Sequence, residues 1–441
     1  MAMTSEQMVR ACKDHSLYSW SVQQDVKPLP VERAERIYLY TPDGEKIIDF
    51  NSGSMCINIG HGHKGVIEAI QRQAQELAYA APGTATEARA RTSKLLADIV
   101  PGDINTFFFT LSGAEANENA IRLARLYTGR QKIITRYRSY HGATNLCMQL
   151  TGDPRRWANE PGTPGVVRVM DPHPYDYSFG TTDEEITANN LKYLDEVIMY
   201  EGAHTIAAMI IETVTGTNGI LAPPKGYLEG LRALLDKHGI LLICDEVMAG
   251  FGRTGKMFAF EHGNIVPDIV SMAKGLTSAY MPLGAVGIRD NIAAFFEDKP
   301  YWGGLTYNSH PMGLAAAEAA IRALVDEGLI ENSARLGHLM SELMADLKRK
   351  HPCVKETRNI GLFGMVDLQR NTRGDRLAPY NGSHPAQGEF LAALRSRGLA
   401  TFMRWGSFMC NPPLCITEEE LRHCFRVIDD SLGVVDAHME E

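Results

Sequence analysis

Several short motifs in this chain carry residue types that can do chemistry. The first is Asp268-Ile-Val-Ser-Met-Ala-Lys274-Gly-Leu-Thr-Ser-Ala-Tyr280-Met-Pro-Leu-Gly284. Ile269 to Met272 is a short apolar run that reads as a buried strand. A lysine just past the C-terminal end of such a strand, in an open α/β sheet, points into the crevice where these folds bind ligands. Partly desolvated there, its amine has a lowered pKa and can attack a carbonyl to form a Schiff base. Taken alone, Lys274 also reads as a solvated loop lysine.

The second motif, Leu242-Ile-Cys-Asp245-Glu-Val247-Met248-Ala-Gly-Phe-Gly-Arg-Thr-Gly255, ends another apolar run with a carboxylate. Buried there, Asp245 needs a partner. A positively charged heteroaromatic ring nitrogen is one, with Val247 as an apolar flank for the ring face. A plain helix cap is the other reading. The third, Thr110-Leu-Ser112-Gly113-Ala114-Glu115, lies between a strand and a helix, where free N–H groups and the helix dipole suit a phosphate. Many helices begin this way with nothing bound. In the fourth, Tyr137-Arg-Ser-Tyr140-His141-Gly142, Tyr140 can stack on a planar ligand opposite Val247, or simply pack in a loop.

Strands and helices alternate around these motifs. Strands are expected at Thr106–Thr110, Lys132–Thr135, Ile206–Ile211, Ile240–Cys244, Ile269–Met272 and Ala285–Gly287, with helices over Glu115–Tyr127 and Tyr227–His238. That alternation predicts a mostly parallel sheet with helices on both faces. Arg36–Tyr40 and Lys46–Phe50, joined by Thr41-Pro-Asp-Gly44, predict a hairpin. The stretch from Asp153 to Tyr177 is rich in Pro and Gly without a period and reads as an excursion near the site. A long helical tract from Pro311 breaks near Gly328 and restarts towards His351, and Thr417-Glu-Glu-Glu420 opens the last helix as a capping box.

Bulk properties narrow the function. The chain has 441 residues, 44% hydrophobic and 22% charged, with a net charge of −9. A nucleic-acid footprint is not expected from that balance. No apolar run approaches the ~18 residues of a membrane span, and Met1–Asp14 lacks the apolar core of a secretory signal. The eight cysteines show no C-x-x-C pair and read as reduced thiols. The expectation is a soluble cytoplasmic enzyme without a metal.

Together the motifs resemble the class III (omega) aminotransferases, pyridoxal-phosphate enzymes of fold type I. D-E-V-x-x-G-F-G-R-T-G at Asp245–Gly255, followed by the A-K-G lysine, is the family's specific signature, and the likeness runs along nearly the whole chain. It implies a large domain (61–327) with a mostly parallel seven-stranded sheet. A smaller α+β domain would be built from residues 1–60 and 328–441. It implies Lys274 as the Schiff-base lysine and Asp245 as the partner of the pyridinium nitrogen, with Val247 and Tyr140 sandwiching the ring. Ser112, Gly113 and Ala114 would hold the phosphate, with His141 and Glu212 beside the ring. Thr306, in Gly304-Leu-Thr-Tyr-Asn-Ser-His310, would reach the cofactor of a partner subunit in a homodimer or tetramer. Ala114 replaces a serine, and Met248 a glutamine, found in many relatives.

The resemblance further implies transfer of an amino group from a small ω-amino donor to a 2-oxo acid, 2-oxoglutarate or pyruvate, in a ping-pong cycle. Arg404 matches the arginine used for carboxylates, and a guanidinium also accepts a sulfonate. Tyr18, Trp20 and Met55 align with pocket-lining positions. The Tyr-Ser-Trp and Thr-Tyr-Asn-Ser-His-Pro segments look most like the taurine branch. Mutase, racemase and decarboxylase members, and amine:pyruvate transaminases with other donors, share the lysine and aspartate.

Overall fold

The computed structural model describes residues 3–440. Seven strands form the central sheet, in the order Ile104–Thr110, Gly284–Arg289, Ile269–Met272, Leu241–Asp245, Ile206–Glu212, Lys132–Arg136 and Val166–Val169. Gly284–Arg289 is antiparallel to both neighbours and the other pairings are parallel.

The central strands Ile206–Glu212, Leu241–Asp245 and Ile269–Met272 are buried throughout, which is why they read as unbroken apolar runs instead of alternating ones. Alternation reappears in where the side chains go. Met209, Ile211, Leu242, Cys244 and Val270 join one core. Ala208, Ile210, Leu241, Ile243 and Ile269 join the other, with Ala116, Ala120 and Leu123 of the helix Gly113–Thr128.

Register then sets the site. Glu212 lies opposite Asp245, and Asp245 opposite Ser271. Two carboxylates and the lysine three residues beyond Ser271 therefore reach one edge of the sheet.

One expectation fails. The excursion after Asp153 contains a short 3-10 turn, Pro154–Asn159, and the seventh strand, Val166–Val169. That strand is a four-residue edge pairing only with Lys132–Arg136, too short to show a period. The helix Asp183–Glu201, with a Thr182 capping box, was also not anticipated.

Both chain ends build small sheets. The expected hairpin, Tyr38–Tyr40 against Lys46–Asp49, joins Arg33–Glu35 on one side and Leu399–Ala400 on the other. Val354–Ile360, Phe363–Leu368, Ser407–Cys410 and Met403–Arg404 form a second. The helical tract is two helices, Pro311–Asp326 and Leu329–Lys350, broken at Gly328 with φ +64°. Thr417 forms the predicted capping box on Glu418–Asp436.

Arg253 fastens these parts together. Fully buried, it donates to the carbonyls of Leu362 and Pro412 and to Ser52 Oγ and Asn58 Oδ1. Among the described residues no helix is long and apolar enough to cross a membrane, and no cluster of side chains suits a metal ion.

Candidate active site

Asp245, at the end of its strand and 4% exposed, is held on both oxygens. Oδ2 accepts from Asn117 Nδ2 and pairs with His141 Nδ1, each at 2.8 Å, while Oδ1 accepts from the Val247 N–H at 3.0 Å. The His141 bond requires its proton on Nδ1. Asn117 also donates to the His141 carbonyl at 2.8 Å, so the three residues form one rigid unit.

Glu212 accepts from the N–H groups of Tyr140 and Gly216, both at 2.9 Å, which pins the loop bearing Tyr140. Burial, reinforced by the nearby charge of Asp245, raises its pKa.

Lys274 follows the strand Ile269–Met272 with φ +43°, a left-handed conformation uncommon outside glycine and concentrated at functional positions. Burial lowers the pKa of its amine, against the attraction of Asp245 and Glu212. The side-chain amine makes no hydrogen bond or ion pair with the other described residues.

These groups face one cavity of about 460 Å³, lined by Gly113, Ala114, Tyr140, His141, Glu212, Asp245, Val247, Lys274, Trp20 and Met55. The backbone at Gly113 lies so close to Val247 that a Cβ there would stand 2.8 Å from Cγ1. A larger cleft of about 760 Å³ contains none of them. Its cations are already engaged: Arg138 with the His173 and Asn218 carbonyls, Lys355 with that of Gly374, Arg376 with that of Tyr175.

Four of the residues singled out in the sequence do not line this cavity. The Ser112 hydroxyl caps the helix through the Glu115 N–H at 3.2 Å, and of this turn Gly113 and Ala114 line the cavity. Thr306 is exposed outside this chain's pocket, its carbonyl accepting from Tyr79. Tyr18 is tied to Gln23 and does not line the pocket. Arg404 is not in its lining and contacts Asp153, near the lining residue Arg155, at 3.1 Å.

Asp153 and Arg155 were missed. Arg155 lines the cavity with its guanidinium 3.6 Å from the Tyr140 ring centroid and 5.7 Å from that of Trp20, a cation–π position. Asp-Pro-Arg-Arg is an N-cap pattern, the one local signal available.

A family model for class III aminotransferases matches residues 19–432. The chain belongs to that family. It is similar in structure to a taurine:2-oxoglutarate aminotransferase from Bifidobacterium kashiwanohense, solved with pyridoxal phosphate and glutamate. The TM-score is 0.96, the identity 38%, and all of both chains is covered. Among curated proteins it is 33% identical to the putrescine–pyruvate aminotransferase of Pseudomonas aeruginosa, over 78% of this chain and 77% of that one. It is 31% identical to a mitochondrial γ-aminobutyrate transaminase of Solanum lycopersicum, over 95% and 84%.

This aminotransferase has the fold of type I pyridoxal-phosphate transaminases, and pyridoxal phosphate is its cofactor. The cavity fits that group. It offers an unpartnered amine at Lys274, a carboxylate held by three donors at Asp245, a helix N-terminus closed in by Val247, and an aromatic ring at Tyr140.

Proposed function

We propose that this enzyme transfers the amino group of a small ω-amino donor with an anionic far end, taurine being the best fit, to 2-oxoglutarate or pyruvate. The observation that carries this reading is that Arg155, which lines the lysine's cavity, shares the single carboxylate of Asp153 with a second guanidinium, that of Arg404. A carboxylate is planar and satisfied by one fork, whereas a sulfonate presents oxygens tetrahedrally and suits donors from two directions. The Nε of Arg404 is buried and without a partner. A diamine such as putrescine would bring its second ammonium towards Arg155, which the like charges oppose.

The cofactor, when bound, supplies the electron sink for the carbanion formed at the donor's amino-bearing carbon. This chain supplies the rest. Lys274 takes the proton from that carbon and returns it, a task suited to an amine whose pKa burial has lowered. Asp245, fixed by Asn117, His141 and Val247, would keep the ring nitrogen of the bound cofactor protonated. Val247 and Tyr140 would hold the ring faces, and Gly113 and Ala114 at the helix N-terminus would hold the phosphate through N–H groups. Met55 and Trp20 narrow the space left for the donor.

We further read residues 1–60 with 328–441, whose residues 1, 2 and 441 lie outside the described ones, as one small domain. The exposed Trp302–Tyr307 segment is read as a homodimer surface that carries Thr306 to the partner's cofactor.

A donor panel tests the substrate reading: taurine, β-alanine, γ-aminobutyrate and putrescine, each with pyruvate and with 2-oxoglutarate. Taurine should turn over with the highest kcat/KM, and Arg155→Met should raise KM for anionic donors at least tenfold. No turnover of taurine with either acceptor, or putrescine outpacing every anionic donor, would sink it.

A further inference from the structure

Asp153 is more deeply buried than either guanidinium it faces, with no exposed surface. Its Oδ1 caps the turn Pro154–Asn159 by accepting from the Arg155 N–H at 2.9 Å. Its Oδ2 accepts four more bonds, from Arg155 Nη2 at 2.5 Å and Nε at 3.1 Å, Arg404 Nη2 at 3.1 Å and Asn218 Nδ2 at 3.1 Å, and Arg155 Nε also reaches Oδ1 at 3.1 Å. Burial alone would raise its pKa, but the hydrogen bonds and charges of Arg155 and Arg404 outweigh it and keep the group ionised at neutral pH. Arg404 is affected in the opposite sense: burial and the like charge of Arg155 bring it down to about 10.

We propose that Asp153 is a specificity-determining residue. It is an internal counter-anion that competes with the substrate's anionic group for Arg155 and Arg404 and leaves the pair able to take one monoanion.

Charge arithmetic supports this. Two guanidiniums (+2) and one carboxylate (−1) leave +1, which a single sulfonate or carboxylate neutralises. The two halves of the reaction support it as well. The donor carries its anion at the end away from the amine, whereas the 2-oxo acid carries a carboxylate next to its carbonyl. A substrate anion must therefore arrive and leave in each half of every cycle. Two arginines stripped of a partner in a buried site are costly, and a carboxylate already within hydrogen-bond reach of both re-pairs them whenever the anion departs. The same carboxylate weakens anion binding, so that product leaves.

The inference rests on the reading of this pocket as an anion receptor, and the test separates the two. Asp153→Asn and Asp153→Ser both keep a side-chain cap and remove the charge. Either one that retains cofactor at wild-type stoichiometry is folded. Ethanesulfonate, which is taurine without its amine and cannot react, is titrated calorimetrically into each cofactor-loaded enzyme in chloride-free buffer. The folded Asp153 variant should bind it about tenfold more tightly than wild type, and KM for anionic donors should fall in parallel. A purely structural role would weaken binding or leave it unchanged, and either result overturns the proposal. Arg155→Met and Arg404→Met complete the set. If wild type binds ethanesulfonate and these lose it, while removing the Asp153 charge brings no tightening, only the role of Asp153 is wrong. If wild type binds none and the arginine variants use taurine as wild type does, the receptor reading fails and takes this inference with it.

Discussion

Replacing Asp245 by asparagine changes almost nothing in shape and much in hydrogen bonding. The carboxylate accepts from Asn117 and His141 on Oδ2 and from the Val247 N–H on Oδ1. An amide has one acceptor and one NH2. With its oxygen at the Oδ2 position it turns the NH2 onto the Val247 N–H; the reverse orientation sets the NH2 against two donors. The better choice still leaves one buried N–H unsatisfied, at about 1–3 kcal/mol. The two surviving bonds lose their charge assistance, at roughly 1 kcal/mol each. Asp245→Asn should therefore shift the local structure by about 3–5 kcal/mol and no longer keep a ring nitrogen protonated. If most of that loss falls on the transition state, the rate drops by roughly 10²–10⁴. Cofactor titration followed by single-turnover donor consumption in rapid mixing separates binding from chemistry. Wild-type cofactor affinity together with a rate within tenfold of wild type would refute the assignment of Asp245.

Lys274→Ala should abolish turnover. After borohydride reduction of the cofactor-loaded proteins, intact mass should show the cofactor attached to wild type and absent from the variant. Arg253→Met should act on stability, since it removes donors from Leu362, Pro412, Ser52 and Asn58, buried acceptors at about 1–3 kcal/mol each when orphaned. An apparent Tm at least ~5 °C below wild type is expected, with kcat per cofactor-loaded molecule within a few-fold. His351 lies 2.8 Å from Asp429 and 2.6 Å from Asp436; burial opposes its protonation, but the two carboxylates prevail and raise its pKa. Stability from a raised histidine is complete below its unfolded value of about 6.5 and is lost as pH rises through the folded one. The Tm gap between wild type and His351→Gln should accordingly narrow as pH rises from about 6 to 9; a gap that does not change with pH would contradict the contact.

The reaction was legible in the sequence because its groups sit where strands end. Asp245 and Lys274 follow apolar runs whose burial on both faces leaves a clear mark, and the parallel register then carries Glu212, Asp245 and Lys274 to one edge. Substrate choice was less legible, for a physical reason. Asp153 and Arg155 lie on a turn within a Pro- and Gly-rich stretch, where no period marks which way a side chain points. Their partner Arg404 stands 251 positions from Asp153 along the chain. The likeness to the family drew attention to Arg404, but only the fold shows that it shares a carboxylate with a second arginine already stacked on Tyr140. The strand Val166–Val169 was missed on the same stretch, and it is this edge strand, paired to Lys132–Arg136, that fastens the far side of the excursion to the sheet. Loops anchored at both ends to a sheet can change their side chains without disturbing the strand-end residues. In this chain the proposed anion receptor, on such a loop, is therefore built separately from Lys274 and Asp245 at the strand ends.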